Sequence, residues 1–583
     1  MKRNNLSANI SATPSLISLL KPYSWFIALL IALTIISNGL NLVVPKIIAH
    51  AIDSYKLGNF SIETITIQFL IVSVSVFVFS YLQSIVQTYT AELVAKNLRT
   101  QLVAKISIQD HAYIQKVSPS KLLTNLTSDI DAVKSFVAQA ISSIISSAFL
   151  IIGACVLLIL INWKLAIPVL MVLPIIGFAF YVLMKKVRKL FKRAQEAIDW
   201  LNKVINESIL GSALIRLLNS NHHEYEKFLK ANTEAKDISL SILRVFASLI
   251  PVISFAANLS VLIILALGGK FVINGSMSLG NFMAFNSYLA ILIFPIIIIG
   301  FMSTLIAQAS ASYKRICEVL LVENVTEKGI IKDKLTGEVV VKNVYVDYAG
   351  KSVLKNISFT AKPGSRTAII GPTAAGKTQL LYLLTGLNEP TRGTIEYDQE
   401  NIKNYEKVTF HEQVGLVFQD SIIFKLSIRE NIAFSNKVND ADIDKAIDSS
   451  ELRDLIESLP EKLDTIVSER GSSLSGGQKQ RIMLARALAL NPKILLLDDF
   501  TARLDTNTEK KILQNVRDNY PGITLISVTQ KIEPIEDYDQ IILLMEGEVL
   551  AEGTHTVLLE NSPEYVQIYN SQRSTNQYEL QAK

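Results

Sequence analysis

Hydrophobic and polar positions divide the chain into two halves of different grain. In the first half, apolar residues come in long runs near 25–47, 66–87, 138–161, 165–184, 245–272 and 282–306, none of which carries an acidic residue. A helix needs roughly 20 residues to cross about 30 Å of hydrocarbon. One such run suits a buried core helix of a soluble protein; six in succession predict a bundle of six membrane spans. Beyond about residue 318 the pattern changes to short strand-like runs, glycine turns and amphipathic helices. The polar stretch 318–334, with Glu323, Glu327, Lys328 and Lys332, separates the halves. The predicted organisation is an all-α transmembrane domain over 1–317 with long extensions, a linker over 318–334, and an α/β domain with a helical subdomain over 335–583.

Charge flanking the runs predicts their orientation. Lys96, Arg99, Lys105, Lys116, Lys121 and Lys134 lie between the second and third runs. Lys185, Lys186, Arg188, Lys189, Lys192 and Arg193 follow the fourth, and Lys314 and Arg315 the sixth. The opposite loops hold only Lys56, Lys164 and Lys270. The basic side is the cytosolic one, so both termini and the second domain are expected in the cytosol. Asn162, Trp163 and Lys164 leave room only for a tight hairpin between the third and fourth spans. The two basic segments are each too long for structureless loops. In the first, Leu93, Val94, Leu98, Leu102 and Val103 recur at helical spacing. Helical continuations of the spans are therefore expected, with tips able to reach a cytosolic domain.

Half of the 583 residues are hydrophobic, 19% are charged, and the mean hydropathy is +0.33, as membrane spans require. The net charge of +5 is modest, and basic residues sit beside apolar segments rather than in one stripe, so nucleic acid is not an expected partner. Two cysteines, Cys155 and Cys317, imply free thiols. The first apolar run is too long for the core of a cleavable leader.

Candidate chemistry lies in the second half. Gly371, Pro372, Thr373, Ala374, Ala375, Gly376, Lys377 and Thr378 fit the phosphate-loop pattern G-x-x-x-x-G-K-[ST]. A strand-like run precedes the loop and a helix-like run follows it. The glycines let backbone N–H groups wrap phosphates at a helix N-terminus, whose dipole favours anions. Lys377 is expected on the terminal phosphates and the Thr378 hydroxyl on Mg²⁺. Downstream, the apolar run 493–497 ends in Asp498, placed to hold Mg²⁺ directly or through water. ATP and Mg²⁺ are the expected cofactors.

Leu474, Ser475, Gly476, Gly477 and Gln478, followed by Lys479, Gln480 and Arg481, form a third element. With it the chain resembles the ATP-binding cassette (ABC) transporter family, specifically exporters that fuse six spans to one cassette. The resemblance covers essentially the whole chain. It implies a head-to-tail cassette dimer in which each ATP lies between one phosphate loop and the other chain's signature. It assigns Tyr348 to adenine stacking and Gln419 to Mg²⁺ sensing. Glu469, Arg470 and Gly471 resemble the segment that contacts the helix tips. Ala502, Arg503, Leu504 and Asp505 fall at a dimer-contact loop, and residues 127–131 and 207–211 resemble the coupling segments of the cytosolic loops.

The chain departs from that pattern at two catalytic positions. The family glutamate after Asp498, which orients the attacking water, is Asp499. Its carboxylate is displaced by about 1 Å, enough to cost on the order of 10²-fold in rate. The family histidine on the γ-phosphate is Gln530, which can donate a hydrogen bond but cannot become a cation. Ala374 and Phe500 replace a usual glycine and proline, and Arg503 is bulkier than usual. His555 reads as a structural turn residue. Both catalytic changes fall on the site of this chain's own phosphate loop, while its signature is intact. That asymmetry resembles the weak-site subunit of a heterodimeric exporter, partnered by a chain with intact glutamate and histidine. The alternatives are a homodimer that tolerates both changes, or a regulatory, channel-like subunit that binds ATP without productive turnover. Substrate identity is open; by family analogy a small hydrophobic or amphiphilic compound is expected. Amides in the spans, among them Asn38, Gln83 and Gln87, are expected to join helices more than to line a path.

Overall fold

The computed structural model describes residues 15–323, 329–348, 351–435 and 437–581. The charged pair Glu327 and Lys328 of the expected linker lies outside them. The chain forms two compact units, Met1–Ser107 with Val117–Glu323, and Ile108–Lys116 with Asn324–Lys583.

The first unit is helical. Its long members are Ser24–Lys56, Ile62–Ser107, Ile141–Leu170, Val172–Leu210, Asn221–Ile263 and Leu279–Leu320. The 46 residues of Ile62–Ser107 rise by roughly 70 Å, more than twice the hydrocarbon thickness. The apolar part of this helix therefore continues into a polar extension. Among the described residues, five stretches are long and apolar enough to cross a membrane: Leu16–Lys56, Ile62–Ser107, Pro119–Leu170, Asn221–Ile273 and Leu279–Leu320. The run expected at 165–184 is not a separate member of that set. Its start closes the helix Ile141–Leu170, and its remainder opens Val172–Leu210, which carries the basic cluster from Lys185 onward. The chain breaks at Asn162 (φ −161°, ψ 101°), whose side-chain oxygen accepts from the Leu165 amide at 3.2 Å and restarts the helix.

Buried polar groups in this unit are satisfied locally or tie helices together, as a low-dielectric setting demands. Thr34 donates to the Leu30 carbonyl at 2.7 Å and Asn38 to the Thr34 carbonyl at 2.7 Å. Ser146 crosses to the Asn38 side-chain oxygen at 3.0 Å, Ser37 meets Ser80 at 2.8 Å, and Gln87 donates to the Ala138 carbonyl. Asn38 and Gln87 thus join helices; Gln83 instead lines a cavity.

The two segments matched by resemblance to coupling elements are bound within this first unit. Asp129, 2% exposed, ends a π-helical turn and accepts two hydrogen bonds from Arg315, one at 3.0 Å. Glu207 accepts from Lys227 at 2.9 Å. The loop segment that does cluster with the second unit is Ile108–Lys116, for which no motif gave a signal.

The second unit is built on a six-stranded sheet ordered β10-β9-β3-β8-β7-β6. Its strands are β3 (Arg366–Ile370), β6 (Val414–Val417), β7 (Ile494–Asp498), β8 (Thr524–Thr529), β9 (Gln540–Met545) and β10 (Glu548–Gly553). All are parallel except β10. Because side chains alternate along a strand, β7 sends Leu495 and Leu497 into one core and Ile494 and Leu496 into the other. Both faces are covered, which is why these strands read as unbroken apolar runs. An antiparallel sheet ordered β2-β1-β4-β5 packs into the second core, from β1 (Val339–Tyr348), β2 (Lys351–Ala361), β4 (Arg392–Tyr397) and β5 (Glu400–Asn401).

Candidate nucleotide site

Parallel strands present their carboxyl ends at one edge, where open α/β sheets bind ligands. Register puts Ile370 beside Thr529, and Asp498 beside Val528. The phosphate loop after β3, the acidic pair at the end of β7 and Gln530 after β8 therefore emerge side by side.

The loop geometry requires its glycines. A Cβ on Gly371 (φ +157°) would lie 2.0 Å from the Leu544 carbonyl oxygen, and one on Gly376 (φ +98°) 2.6 Å from Leu354 Cδ2. Ala374 sits at φ +66°, left-handed backbone that costs an L-residue about 1–2 kcal/mol. The unusual alanine is thus in the conformation that favours the usual glycine. Lys377 opens the helix Lys377–Leu384, is 8% exposed, and donates to the Gly371 and Pro372 carbonyls, both at 2.8 Å. Burial lowers its pKa, against the opposing pull of Asp499 and Asp498. An anion in the loop would hold it charged.

Thr378 Oγ1 lies 3.3 Å from Asp498 Oδ1, and Asp498 is 2% exposed. Burial raises the pKa of Asp498, helped by the neighbouring Asp499 and Asp420. One carboxylate and one hydroxyl make a partial hard-oxygen set, which suits Mg²⁺ completed by phosphates and water. No cluster of three or more His, Cys, Asp or Glu side chains suited to a metal occurs among the described residues. Asp499 takes φ +44°, its amide donates to Val528 at 2.9 Å, and burial raises its pKa. Gln419, two residues past β6, is exposed. Gln530 is exposed as well, and its backbone is held from the helix Pro563–Gln581: Gln572 donates to the Gln530 carbonyl at 2.6 Å and accepts from the Ile532 amide at 2.9 Å. His555 is within 2.7 Å of the Tyr565 hydroxyl on that same helix. The side chain of Tyr348 lies outside the described residues.

The signature lines a separate cavity. Ser475 caps the helix Gly476–Leu488, accepting from the Gln478 amide at 3.3 Å while Gln478 accepts from the Ser475 amide at 2.8 Å. This reciprocal box leaves the Gly476 and Gly477 amides at the helix mouth. A Cβ on Gly476 would approach Arg503 Cδ to 2.9 Å, so the glycines admit the Arg503 segment. Ser475, Gly476, Gly477, Gln478 and Arg503 surround a space of about 420 Å³ to which no residue of 371–378 contributes. Within one chain, phosphate loop and signature stay apart.

Sequence reasoning missed an aromatic junction beside the metal set. Tyr382 follows Thr378 by four residues, on the same helix face. Its ring lies 6.2 Å from that of Phe418, next to Gln419, and 5.3 Å edge-on from the ring of His111 in the segment Ile108–Lys116. The i, i+4 spacing was legible; the contacts were not.

Comparison with known proteins places this arrangement. The description ABC transporter transmembrane region matches residues 27–296, and the description ABC transporter matches residues 354–502. The chain belongs to the ABC transporter family. It is 32% identical to the uncharacterized ABC transporter ATP-binding protein YfiB of Bacillus subtilis, over 95% of this chain and 98% of that protein. It is 30% identical to YheI of the same organism, described as a probable multidrug resistance ABC transporter ATP-binding/permease protein, over 95% and 98%. A bacterial Atm1-family ABC exporter with ATP bound shares the fold at TM-score 0.77 and 23% identity, over 95% of this chain and 98% of that one. This ABC transporter is a half-transporter, with membrane and ATP-binding modules fused in one chain.

Proposed function

We infer that this ABC transporter is the weak-site half of a heterodimeric exporter moving small hydrophobic or amphiphilic compounds out across the cytoplasmic membrane, with its termini and cassette in the cytosol. The observation that carries the reading is the occurrence of Asp499 and Gln530 at one sheet edge in a chain whose signature is intact. The backbone N–H groups of 371–378 and the Lys377 ammonium would hold the ATP phosphates, with Tyr348 on the adenine. Thr378, Asp498 and Gln419 would hold Mg²⁺, which supplies charge neutralisation at the γ-phosphate. Asp499 would accept the proton of the attacking water from a carboxylate one methylene short of the family glutamate. Gln530 would contribute a neutral hydrogen bond. Loss of general-base help costs roughly 10²–10⁴-fold, so hydrolysis at this site is slow. Ser475, Gly476, Gly477 and Gln478 would complete the partner's faster site. Export of small hydrophobic compounds is supported by the multidrug description of YheI.

ATPase assays test this with the chain alone, with a candidate partner, and with Asp499→Glu, Gln530→His and both. Negligible activity alone, restored by the partner or by the double change, supports the weak-site heterodimer. Robust activity alone that depends on Asp499 overturns it in favour of a homodimer.

A further inference from the structure

Three helices of the first unit line an open cavity of about 270 Å³. Gln83, Ser143 and Ser147 form its polar wall, and Leu150, Ile291 and Phe294 its apolar wall. Among the described residues, no ionisable side chain lines it. It is smaller than the roughly 300–1,000 Å³ of pockets that swallow a drug-sized molecule whole.

Its polar wall behaves unlike other polar groups of the membrane unit. Thr34, Thr90, Ser260 and Ser287 all bond back to the carbonyl four residues earlier. Ser146, which borders the same cavity, is taken up by Asn38, and Gln87, one turn beyond Gln83, by the Ala138 carbonyl. Gln83 and Ser147 have no hydrogen-bond partner among the described residues, although Ser147 is only 3% exposed. Leaving a hydroxyl or amide unpaired in apolar surroundings costs about 1–3 kcal/mol by protein measurements. A serine can end that cost by turning to its own helix, as Ser142 does toward the Gln139 carbonyl at 3.4 Å; Ser147 faces the cavity instead.

We propose that this cavity is a head-group subsite for an uncharged amphiphile. The Gln83 amide and the Ser143 and Ser147 hydroxyls would bond a neutral hydroxyl, ester or amide head. The apolar tail would leave along Leu150 and Phe294, a ring that is 72% exposed. The absence of lining charge disfavours both cationic and anionic heads, because either would be desolvated without a counter-ion. The proposal rests on the export reading in one respect only, that the bound compound is cargo.

The test uses the full chain in lipid nanodiscs, with Cys155 and Cys317 replaced by alanine and Ile298→Cys, at the border of the same cavity, as reporter. Alkylation of the reporter by N-ethylmaleimide is followed against monooctanoylglycerol, octyltrimethylammonium and octanoate, three probes with the same chain length and different heads. Only the neutral glyceride should protect, and Gln83→Leu or Ser147→Ala should each weaken its protection about tenfold, as loss of a hydrogen bond or two would. The paired variants guard against one of them misfolding, checked by a monodisperse elution profile. Equal protection by the three probes, or protection unmoved by both substitutions, overturns the subsite. So does a reporter that never reacts, which would mean that helices fill the space. Specific protection without glyceride-stimulated ATPase or transport, in the presence of a partner, leaves the subsite standing and defeats the export reading instead.

Discussion

Replacing Arg315 by methionine removes the counter-ion of a carboxylate that the fold has taken out of water. The Asp129 side chain is 3% exposed and that of Arg315 43%. Breaking a fully buried pair costs about 3–5 kcal/mol, because the remaining charge stays buried and unpaired. Here the guanidinium side is open to solvent, which screens part of the interaction, so about 2–3 kcal/mol is expected. The buried thiol of Cys317, on the same helix two residues from Arg315 and 1% exposed, reports local opening. With Cys155 changed to alanine, its alkylation in the fast-reclosing regime should accelerate roughly 30- to 150-fold in Arg315→Met. Adding Asp129→Leu removes the stranded charge and should return the rate to within about tenfold of the parent. An acceleration below about threefold, or a double variant no slower than the single one, would refute the assignment of Asp129 and Arg315 as a structural lock.

Four further outcomes follow from the cassette. Gly371→Ala forces a Cβ toward the Leu544 carbonyl, and ATP affinity should fall about tenfold to a hundredfold, measured by isothermal titration; an unchanged affinity would show that the loop shifts freely. Ala374→Gly releases left-handed strain of about 1–2 kcal/mol against a glycine entropy cost of about 0.5–1, so unfolding stability without nucleotide should rise by about 0–1.5 kcal/mol in a denaturant titration, and a loss of stability would refute the strain. Tyr382→Ala should raise the Mg²⁺ concentration for half-maximal ATP binding severalfold, while Tyr382→Phe, which keeps the ring against His111 and Phe418, should not; equal effects would mean that the ring contacts are irrelevant. Gln572→Ala frees the backbone at Gln530 and should lower kcat about tenfold in the dimer with KM for ATP nearly unchanged; a change in KM alone would place Gln572 in binding rather than positioning.

The sequence by itself determined the two modules, the phosphate loop, the acidic residue that closes an apolar strand, the signature, and Asp499 and Gln530 as departures from the family pattern. These are local: a glycine pattern, an apolar run and a helix cap are written in consecutive residues, and each has one physical use at that spacing. The membrane helices were legible for the same reason; the break at Asn162 falls at the expected hairpin, and the run 165–184 is carried by the end of Ile141–Leu170 and the start of Val172–Leu210, divided at Met171. Tertiary structure decided the rest, because contacts between residues far apart in the chain leave no periodic trace. A guanidinium 186 residues away binds Asp129 in the segment 127–131, and Ile108–Lys116, to which no sequence motif pointed, clusters with the cassette. Only the fold could distinguish Gln87, paired across to another helix, from Gln83, four residues earlier and turned to a cavity, since an amide's partner is set by the neighbour that packing brings to it.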